Sequence, residues 1–574
     1  MSTKQFDIVP SDNMLEKDSS YARGQNASFG RLVLRFLAIY WRSIVVVGAP
    51  LVFLPIPIIY TTTTFRCFYI VIIMAIFWVT EALPLPMTSF MPVFFFPLMG
   101  ILSTTDTTTC YLNDTTMMFL GSLIIAVAIE HSGLHMRIAL LIIKTVGCGH
   151  RRLSAGIFFV TMFISMWVSN TAATAMMIPI IQTVLMELEN QGLGPMFIEE
   201  RDNVESNEDG TPAKRPTNTT MNYFLIASYA SSIGGTGTMV GSGTNLTFKG
   251  IFETRFPGSG GLNFSDWMYY AIPQMLVCAV LTWLWLQVMY MGLFRPNSKD
   301  AQAINIGKEG EKIAENVINQ KYKELGPITW HESAVAGLFG IVILMWFFRK
   351  PGFMTGWPQL ITDLGYKDSS SAIFVALMMF ILPAKLDFLK AFSKDPRKRP
   401  TKPSQGLITW QLIQTKMHWG LMFVLGGGFA LSAGSTSSGL STVLGNSLTG
   451  LQNLHSIAIL FIVCLLAESV TELTANVAVA NVILPVLAEL AVSIKVHPLY
   501  LMMPAGLCCS FSFHLPAGTP PNAIITAAGH IKTKDLIIAG IGPSIITLVV
   551  LTIAFPTWGN FIYHVNEFPS WANR

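Results

Sequence analysis

The sequence predicts an all-α polytopic membrane protein built from two inverted repeats. Three observations carry that expectation. Apolar residues make up 52% of the 574 positions and charged residues only 12%, with a mean hydropathy of +0.51, whereas soluble domains carry roughly a quarter charged residues. Long apolar stretches recur along the whole chain, and a bilayer of ~30 Å takes about 20 such residues per helix. Finally, one set of small, polar motifs occurs twice, in the same order.

The apolar stretches are Ile44–Tyr60, Cys67–Val79, Phe90–Leu102, Met118–Ala128, Ile157–Val168, Tyr270–Met289, Ala334–Phe348 and Ala372–Pro383, with four more near Ser456–Leu466, Val477–Val492, Leu499–Phe513 and Leu536–Phe555. In hydrocarbon every backbone N–H and C=O must be satisfied internally, so these segments are read as helices. The strand alternation of a membrane barrel is missing. The N-terminal segment, 1–39, has no apolar core followed by a small-residue cleavage site, so no cleaved leader is expected. Arg23, Arg31, Arg35 and Arg42 put that segment on the cytoplasmic side. Residues 295–330 hold six Lys or Arg, from Arg295 to Lys323, and form a basic cytoplasmic loop. A second basic stretch runs from Lys385 to Lys416. Two apolar segments separate these stretches, so both fit the same side. The net charge of +4 therefore reports topology and not a nucleic-acid partner.

The repeat is explicit. Residues 168–180 read VSNTAATAMMIPI and residues 474–486 read TANVAVANVILPV, so that Asn170 and Asn476, and Pro179 and Pro485, share one offset of 306. FLGSLIIAVAIEHSGL at 119–134 and LGGGFALSAGSTSSGL at 425–440 share it too. Each is a glycine-containing apolar run ending in Ser-Gly-Leu, expected to enter the membrane and turn back. Gly241-Ser-Gly-Thr-Asn245 pairs with Gly518-Thr-Pro-Pro-Asn522 at the shorter offset of 277, the polar stretch around 195–221 being present in the first half alone. The chain divides accordingly into 1–39, a first repeat 40–294, the loop 295–330, a second repeat 331–562 and a C-terminal tail 563–574.

Ser-Asn-Thr and Gly-Ser-Gly-Thr-Asn are poor continuous-helix sequences, because hydroxyl and amide side chains compete for backbone groups and Gly permits unwinding. Broken helices at membrane depth line cavities and point positive N-terminal ends at anions. Ser169, Asn170, Thr171 and Ser242 can donate to one carboxylate, and Asn476 and Thr519 to another. The amide oxygens of Asn170 and Asn476, with unwound carbonyls, offer hard ligands to an alkali cation. No Lys or Arg lies within the motifs. An anion there needs helix dipoles, a co-bound cation or a proton for compensation. The competing reading is packing, since small residues such as Ser165 and Ser169 let membrane helices approach closely. Duplication of the motifs favours a site.

Other chemistries lack their residues. The seven cysteines show no CxxC or Cys/His metal spacing, His331-Glu332 lacks HExxH spacing, and no GxxxxGK[ST] loop occurs. An intramembrane enzyme is thereby disfavoured, and a channel is disfavoured by inverted repeats. Glu81, Glu130, Glu468 and Glu472 lie in apolar surroundings. Glu81 is read as structural, Glu472 as either structural or tuning a cation site.

The repeated Ser-Asn-Thr-type motif, its Gly-Thr-Pro-Pro-Asn partner and FWVTEALPLPMTS at 77–89 resemble the divalent anion/sodium symporter family, which contains the INDY-type and sodium-coupled di- and tricarboxylate transporters. The resemblance spans about 40–560. It implies eleven transmembrane helices, re-entrant hairpins at about 116–133 and 420–438, a homodimer in the plasma membrane, and elevator-type alternating access. It further implies transport of C4–C6 carboxylates such as citrate and succinate, without a cofactor beyond coupling sodium ions. By motif, the substrate contacts are Ser169, Asn170, Thr171, Ser242, Asn476, Val477, Thr519 and Pro520. The sodium ligands are Ser165, Ser169, Asn170 and Gly241 in one site and Thr471, Thr474, Asn476 and Gly518 in the other. Three departures bear on coupling. Ala475 stands where the family often has Ser, Gly243-Thr244 replaces Pro-Pro, and His514 adds a possible proton site. Sodium symport, proton coupling and sodium-independent exchange all stay open.

Overall fold

A computed structural model describes residues 29–573 apart from 148, 193, 200–213, 306, 394, 396, 398, 448–449 and 451–453. Most of the predicted N-terminal segment, Arg23 included, lies outside the described residues. The first half contains α1 (Phe29–Phe53), α2 (Thr63–Thr80), α3 (Met91–Leu98), α4 (Asp114–Ser132), α5 (Leu134–Val146), α6 (His150–Ser165), α7 (Asn170–Asn190), α8 (Asn218–Gly234), α9 (Gly243–Arg255) and α10 (Phe264–Tyr290). The polar insertion between α7 and α8 carries an antiparallel pair, β1 (Phe197–Glu199) and β2 (Lys214–Pro216). Then come α11 (Gly307–Glu324), α12 (Trp330–Phe347), α13 (Asp368–Ile381), α14 (Trp419–Ser437), α15 (Leu440–Ser447), α16 (Ser456–Thr471), α17 (Asn476–Ser493), α18 (Pro498–Cys508), α19 (Pro520–Gly529) and α20 (Thr533–Ala554). Among the described residues nine helices are long and apolar enough to cross a membrane, and further apolar helices are shorter. Large apolar side chains stand exposed along α20, at Ile538, Ile541, Ile545 and Val549, where lipid is their solvent.

The two halves interlock. α4 packs along α13 of the other half, and α14 along the first-half segment Leu85–Ser89. α9 packs on α14, α17 and α18, while α19 packs on α7 and α8. Each half thus builds its core partly from the other.

One expectation is overturned. The glycine-rich runs at 116–133 and 420–438 are not re-entrant hairpins; α4 and α14 are each one continuous helix of 19 residues. Their glycines serve close approach instead. A Cβ on Gly121 would lie 2.6 Å from the Ala372 side chain and one on Gly427 2.7 Å from that of Ser89, and Gly426 and Gly434 are crowded by Tyr111 and Phe96. The chain turns only at the ends of these helices, at Gly133 (φ +76°) and Gly439 (φ +75°), in the left-handed region that glycine enters without steric cost.

Two helical hairpins lie one motif further on. α6 and α7 meet at 166–169, and their outer ends both face α11: a Cβ on Gly149 would touch the Glu311 carboxylate at 2.6 Å, and α7 packs on α11. α16 and α17 meet at 472–475, and the far end of α17 returns to α15, where the Ser493 hydroxyl donates to Gly445 O at 2.6 Å. α14 separates the second basic stretch from α15, and 19 residues span about 28 Å at ~1.5 Å per residue. The two pairs therefore open to opposite faces. The basic loop is also more than a loop: α11 buries Ala314 and Ile318 and packs on α5 and α7. Beside it, Arg137 of α5 pairs with Glu332 of α12 at 3.1 Å and donates to Gly326 O at 3.0 Å.

Candidate functional site

Four helix N-termini meet in the interior, those of α7, α9, α17 and α19, and each carries a positive partial charge. The two halves touch there directly. A Cβ on Gly243 would lie 3.0 Å from Val477 Cγ2, the Ser242 hydroxyl lies 3.5 Å from that of Ser510, and Thr244 bonds Ser510.

The first tip follows α6. Ser165, fully buried, places its hydroxyl 2.8 Å from Asn170 Oδ1 and 2.7 Å from Ser231 O. Its single proton faces two acceptors, so three oxygens converge. Ser169 caps α7 by accepting from Ala172 N at 3.3 Å, and Thr171 sits half-buried in the first turn. The loop 235–242 closes behind. Gly241 is pressed so near that a Cβ would lie 2.6 Å from Gly235 O and 2.9 Å from Met166 O. Ser242 shares a hydrogen bond with Thr244 at 2.8 Å.

The second tip repeats the hydroxyl–amide–carbonyl arrangement. Thr471 places its hydroxyl 2.9 Å from Asn476 Oδ1 and 2.8 Å from Cys509 O. A Cβ on Gly518 would lie 2.9 Å from Glu472 O and 3.0 Å from Thr471 O, and would strike the Ser512 hydroxyl. Glu472 stands where Met166 stands, and Ser512 where Gly235 stands, at the offsets of the two motifs. Thr519 is buried before α19, Pro520 is exposed at its first turn, and Val477 is half-buried against Gly243. Thr474 turns away: its hydroxyl donates to Trp78 O at 3.1 Å, tying the tip to the segment 77–89. Ala475 leaves α17 without a capping side chain. The duplicated cradle of hydroxyl, amide and carbonyl oxygens suits a hard alkali cation. At Gly241 and Gly518 a Cβ would crowd those carbonyls, so glycine keeps the oxygens open to an ion.

His514 engages both ring nitrogens, Nδ1 with Ile537 O at 3.0 Å and Nε2 with the Ser544 hydroxyl at 2.9 Å.

Several partners are visible in the sequence without their precise roles. Asn245, the last residue of its motif, is a brace: its Nδ2 donates to Gly235 O at 2.9 Å and Thr238 O at 2.8 Å. Asn522 does the same to Ser512 O and Leu515 O, both at 3.1 Å. Their place in the paired motif is the available signal. Asn245 is buried, as its position within the motif predicts. Glu472 also holds the second loop, accepting from the Ser512 hydroxyl at 2.9 Å and from the backbone of Phe513 at 2.6 Å and His514 at 3.0 Å. Cross-half bonds tie α8 to the second loop and α19, Ser228 to Asn522 Oδ1 at 2.6 Å and Tyr229 to Phe513 O at 3.1 Å.

Interlocked inverted repeats whose broken helices converge at membrane depth define a secondary transporter. The chain belongs to the family described as the sodium:sulfate symporter transmembrane region, which matches residues 37–565. It is 48% identical to the protein "I'm not dead yet" of Drosophila melanogaster, over 94% of this chain and 92% of that one. It is 38% identical to the Na(+)/citrate cotransporter of Rattus norvegicus, over 92% and 96%, and 38% identical to human solute carrier family 13 member 2, over 93% and 95%. Among solved structures it resembles the YdaH transporter of Alcanivorax borkumensis, with a TM-score of 0.50 at 14% identity, covering 81% of this chain and 88% of that one.

Proposed function

We propose that this protein carries small di- and tricarboxylates of the citrate and succinate type across the plasma membrane by alternating access, with sodium compensating part of their charge. The observation that carries this is the duplicated tip. Ser169, Asn170, Thr171 and Ser242 on one side and Asn476, Val477, Thr519 and Pro520 on the other frame a neutral space at four helix N-termini, suited to two carboxylates. Behind them, Ser165, Ser169, Asn170 and Gly241, and Thr471, Thr474, Asn476 and Gly518, are the proposed cation ligands, Thr474 through its carbonyl because its hydroxyl is used elsewhere. A relative that is a Na(+)/citrate cotransporter across 92% of this chain supports both halves of the reading. The segments 40–294 and 331–562 act as the two repeats, flanked by 1–39 and 563–574 and joined by 295–330. The tips and the helices that carry them move as a transport domain against a scaffold, in an elevator stroke of a homodimer with eleven spans per subunit.

A second reading, sodium-independent exchange, draws on Ala475: the second tip has one hydroxyl fewer than the first. Labelled citrate and succinate uptake into liposomes, with sodium, potassium and pH gradients varied separately, distinguishes the two. The sodium reading expects the apparent KM to rise steeply without sodium, and Thr471→Ala to copy that defect. Full-rate counterflow without sodium overturns it and leaves the carboxylate assignment standing.

A further inference from the structure

Glu468 is a carboxyl that the tips do not use. It lies one turn before Glu472 on α16, is 5% exposed, and its Oε2 has no hydrogen-bond partner among the described residues. Oε1 accepts from the Thr547 hydroxyl of α20 at 3.2 Å, and the Ser544 hydroxyl of the same helix lies nearby. Among the described residues, the charged and titratable groups around it supply no positive charge. Its own helix offers Glu472, α10 offers Cys278 and α18 offers Cys508. Asp535 of α20 pairs with Arg215, and Glu489 of α17 with Arg255. A membrane carboxyl without a counter-ion is held as the acid or binds a cation.

Counting protons decides between these. Thr547 has one proton, shared among Glu468 Oε1 at 3.2 Å, Pro543 O at 2.9 Å and Ser544 O at 3.1 Å. His514 Nδ1 faces the carbonyl of Ile537 and must carry a hydrogen there. With a neutral ring, Nε2 is then an acceptor and takes the proton of Ser544. Ser544 thereby turns its proton away from Glu468, whose Oε2 is left without a partner among the described residues, and a carboxyl enclosed with a single shared hydroxyl donor and no cation beside it is held as the acid. A second state moves the same proton. An imidazolium at His514 donates through Nε2 to Ser544, and Ser544 donates to a Glu468 carboxylate. Either way the unit holds one proton, which passes between its ends as Nε2–H protonates Ser544 while Ser544 O–H protonates the carboxylate, with no other bond changed.

We propose that Glu468, Ser544 and His514 form a proton site that takes up one proton in each transport cycle as counter-charge for the anionic cargo. This rests on the carboxylate reading above and adds a second cation to it. The site is coupled to the tip by position: His514 belongs to the loop that ends in the Gly518 cradle, and its backbone N–H is held by Glu472. His514 is half-buried while Glu468 is enclosed, so the imidazole is the more accessible end of the unit.

The test uses the full-length protein in liposomes loaded with a pH-sensitive dye, with sodium equal on both sides and the membrane potential clamped. Labelled succinate flux and internal acidification are read together. The wild type should acidify the lumen as succinate enters, beyond what a protonophore-treated control shows. Glu468→Gln keeps the shape and hydrogen-bonding capacity of the carboxylic acid but cannot titrate. It should lose the acidification that accompanies each succinate, and the rate should lose its dependence on pH. Protons riding on succinate itself would persist in that variant, so unchanged acidification in Glu468→Gln overturns the proposal. Should Glu468→Gln fail to insert, Ser544→Ala decides: it breaks the link to His514, and undiminished proton movement in it is equally fatal. A wild type without saturable succinate flux sinks the carboxylate reading itself, a result read from the label and not from the dye.

Discussion

Asn170 and Asn476 each open a helix and each offer one amide oxygen to a hydroxyl five residues earlier, Ser165 and Thr471. The amide nitrogen stays available to cargo, so one side chain can bridge cation and substrate. Losing a partner of this kind costs about 1–3 kcal/mol where the remaining group is buried. Asn170→Ala and Asn476→Ala are each expected to abolish uptake while the purified protein keeps its elution profile and helix content; near-normal uptake by either removes that residue from the site. Asn245 and Asn522 differ in kind. Each donates twice to backbone carbonyls of its own loop, so Asn245→Ala should lower the thermal midpoint as well as activity. The motif pairs expose all four asparagines to view in the sequence. What they do not reveal is the division between ligand and brace, since that depends on which way an amide points after the loop has closed.

At the scale of the helix, glycine carries two separate jobs in and after α14. Gly428 is crowded by the Asn481 amide, whereas Gly439 follows the helix at φ +75° with only the Thr64 hydroxyl nearby, 3.7 Å from where a Cβ would sit. Gly428→Ala should therefore displace Asn481 from Val424 O, its 2.8 Å acceptor, and depress the melting midpoint in detergent. Overpacking of a tight contact typically costs about 1–3 kcal/mol. Gly439→Ala meets only the strain of a left-handed backbone, about 1 kcal/mol, and should melt closer to the wild type. The reverse order would mean that α14 turns within its glycine-rich run. The hairpin expectation fails for a physical reason: apolar runs rich in glycine look alike whether the glycines admit a neighbouring helix or permit a reversal. α11 shows the complementary case. Ile313, Ala314, Val317 and Ile318 recur at helical spacing within the basic stretch, so its amphipathic helix is legible, though its neighbours α5 and α7 are not.

Across the whole molecule, the far end of α9 is tied to elements distant in sequence. Lys249, 3% exposed, pairs with Glu253 at 2.7 Å and with Asp114 of α4 at 3.8 Å. Asp368 of α13 pairs with Arg349, and Asp114 bonds Ser369. These charges border one cavity of ≈ 330 Å³ together with Lys367. Lys249→Met leaves Asp114 and Glu253, each about one-fifth exposed, without their enclosed cation. Breaking a fully buried pair costs about 3–5 kcal/mol, and partial exposure reduces that. The expected outcome is a lower thermal midpoint, partly recovered by the double variant Lys249→Met with Glu253→Gln; no recovery would mean that packing of the Lys stem, and not its charge, holds α9.

The distance between the tips also sets what the transporter accepts. Gly243 against Val477, and Ser242 with Thr244 against Ser510, fix the two halves of the site relative to each other. Each half brings its own helix N-termini and its own hydroxyl–amide cradle, and neither motif set brings a Lys or Arg. A ligand that engages one half gains one carboxylate's worth of dipole and hydrogen-bond stabilisation and leaves the other set of donors unmatched, a penalty of the same sign for every monocarboxylate. An amino acid adds an ammonium group that four positive helix ends repel. Succinate, citrate and other C4–C6 carboxylates should therefore compete for one saturable site in labelled-succinate uptake, each raising the apparent KM without lowering the maximal rate. Lactate and glutamine at the same concentration should leave the curve in place. Equal competition by lactate would show that one tip suffices for binding, and the second would then have to be assigned to the cation alone.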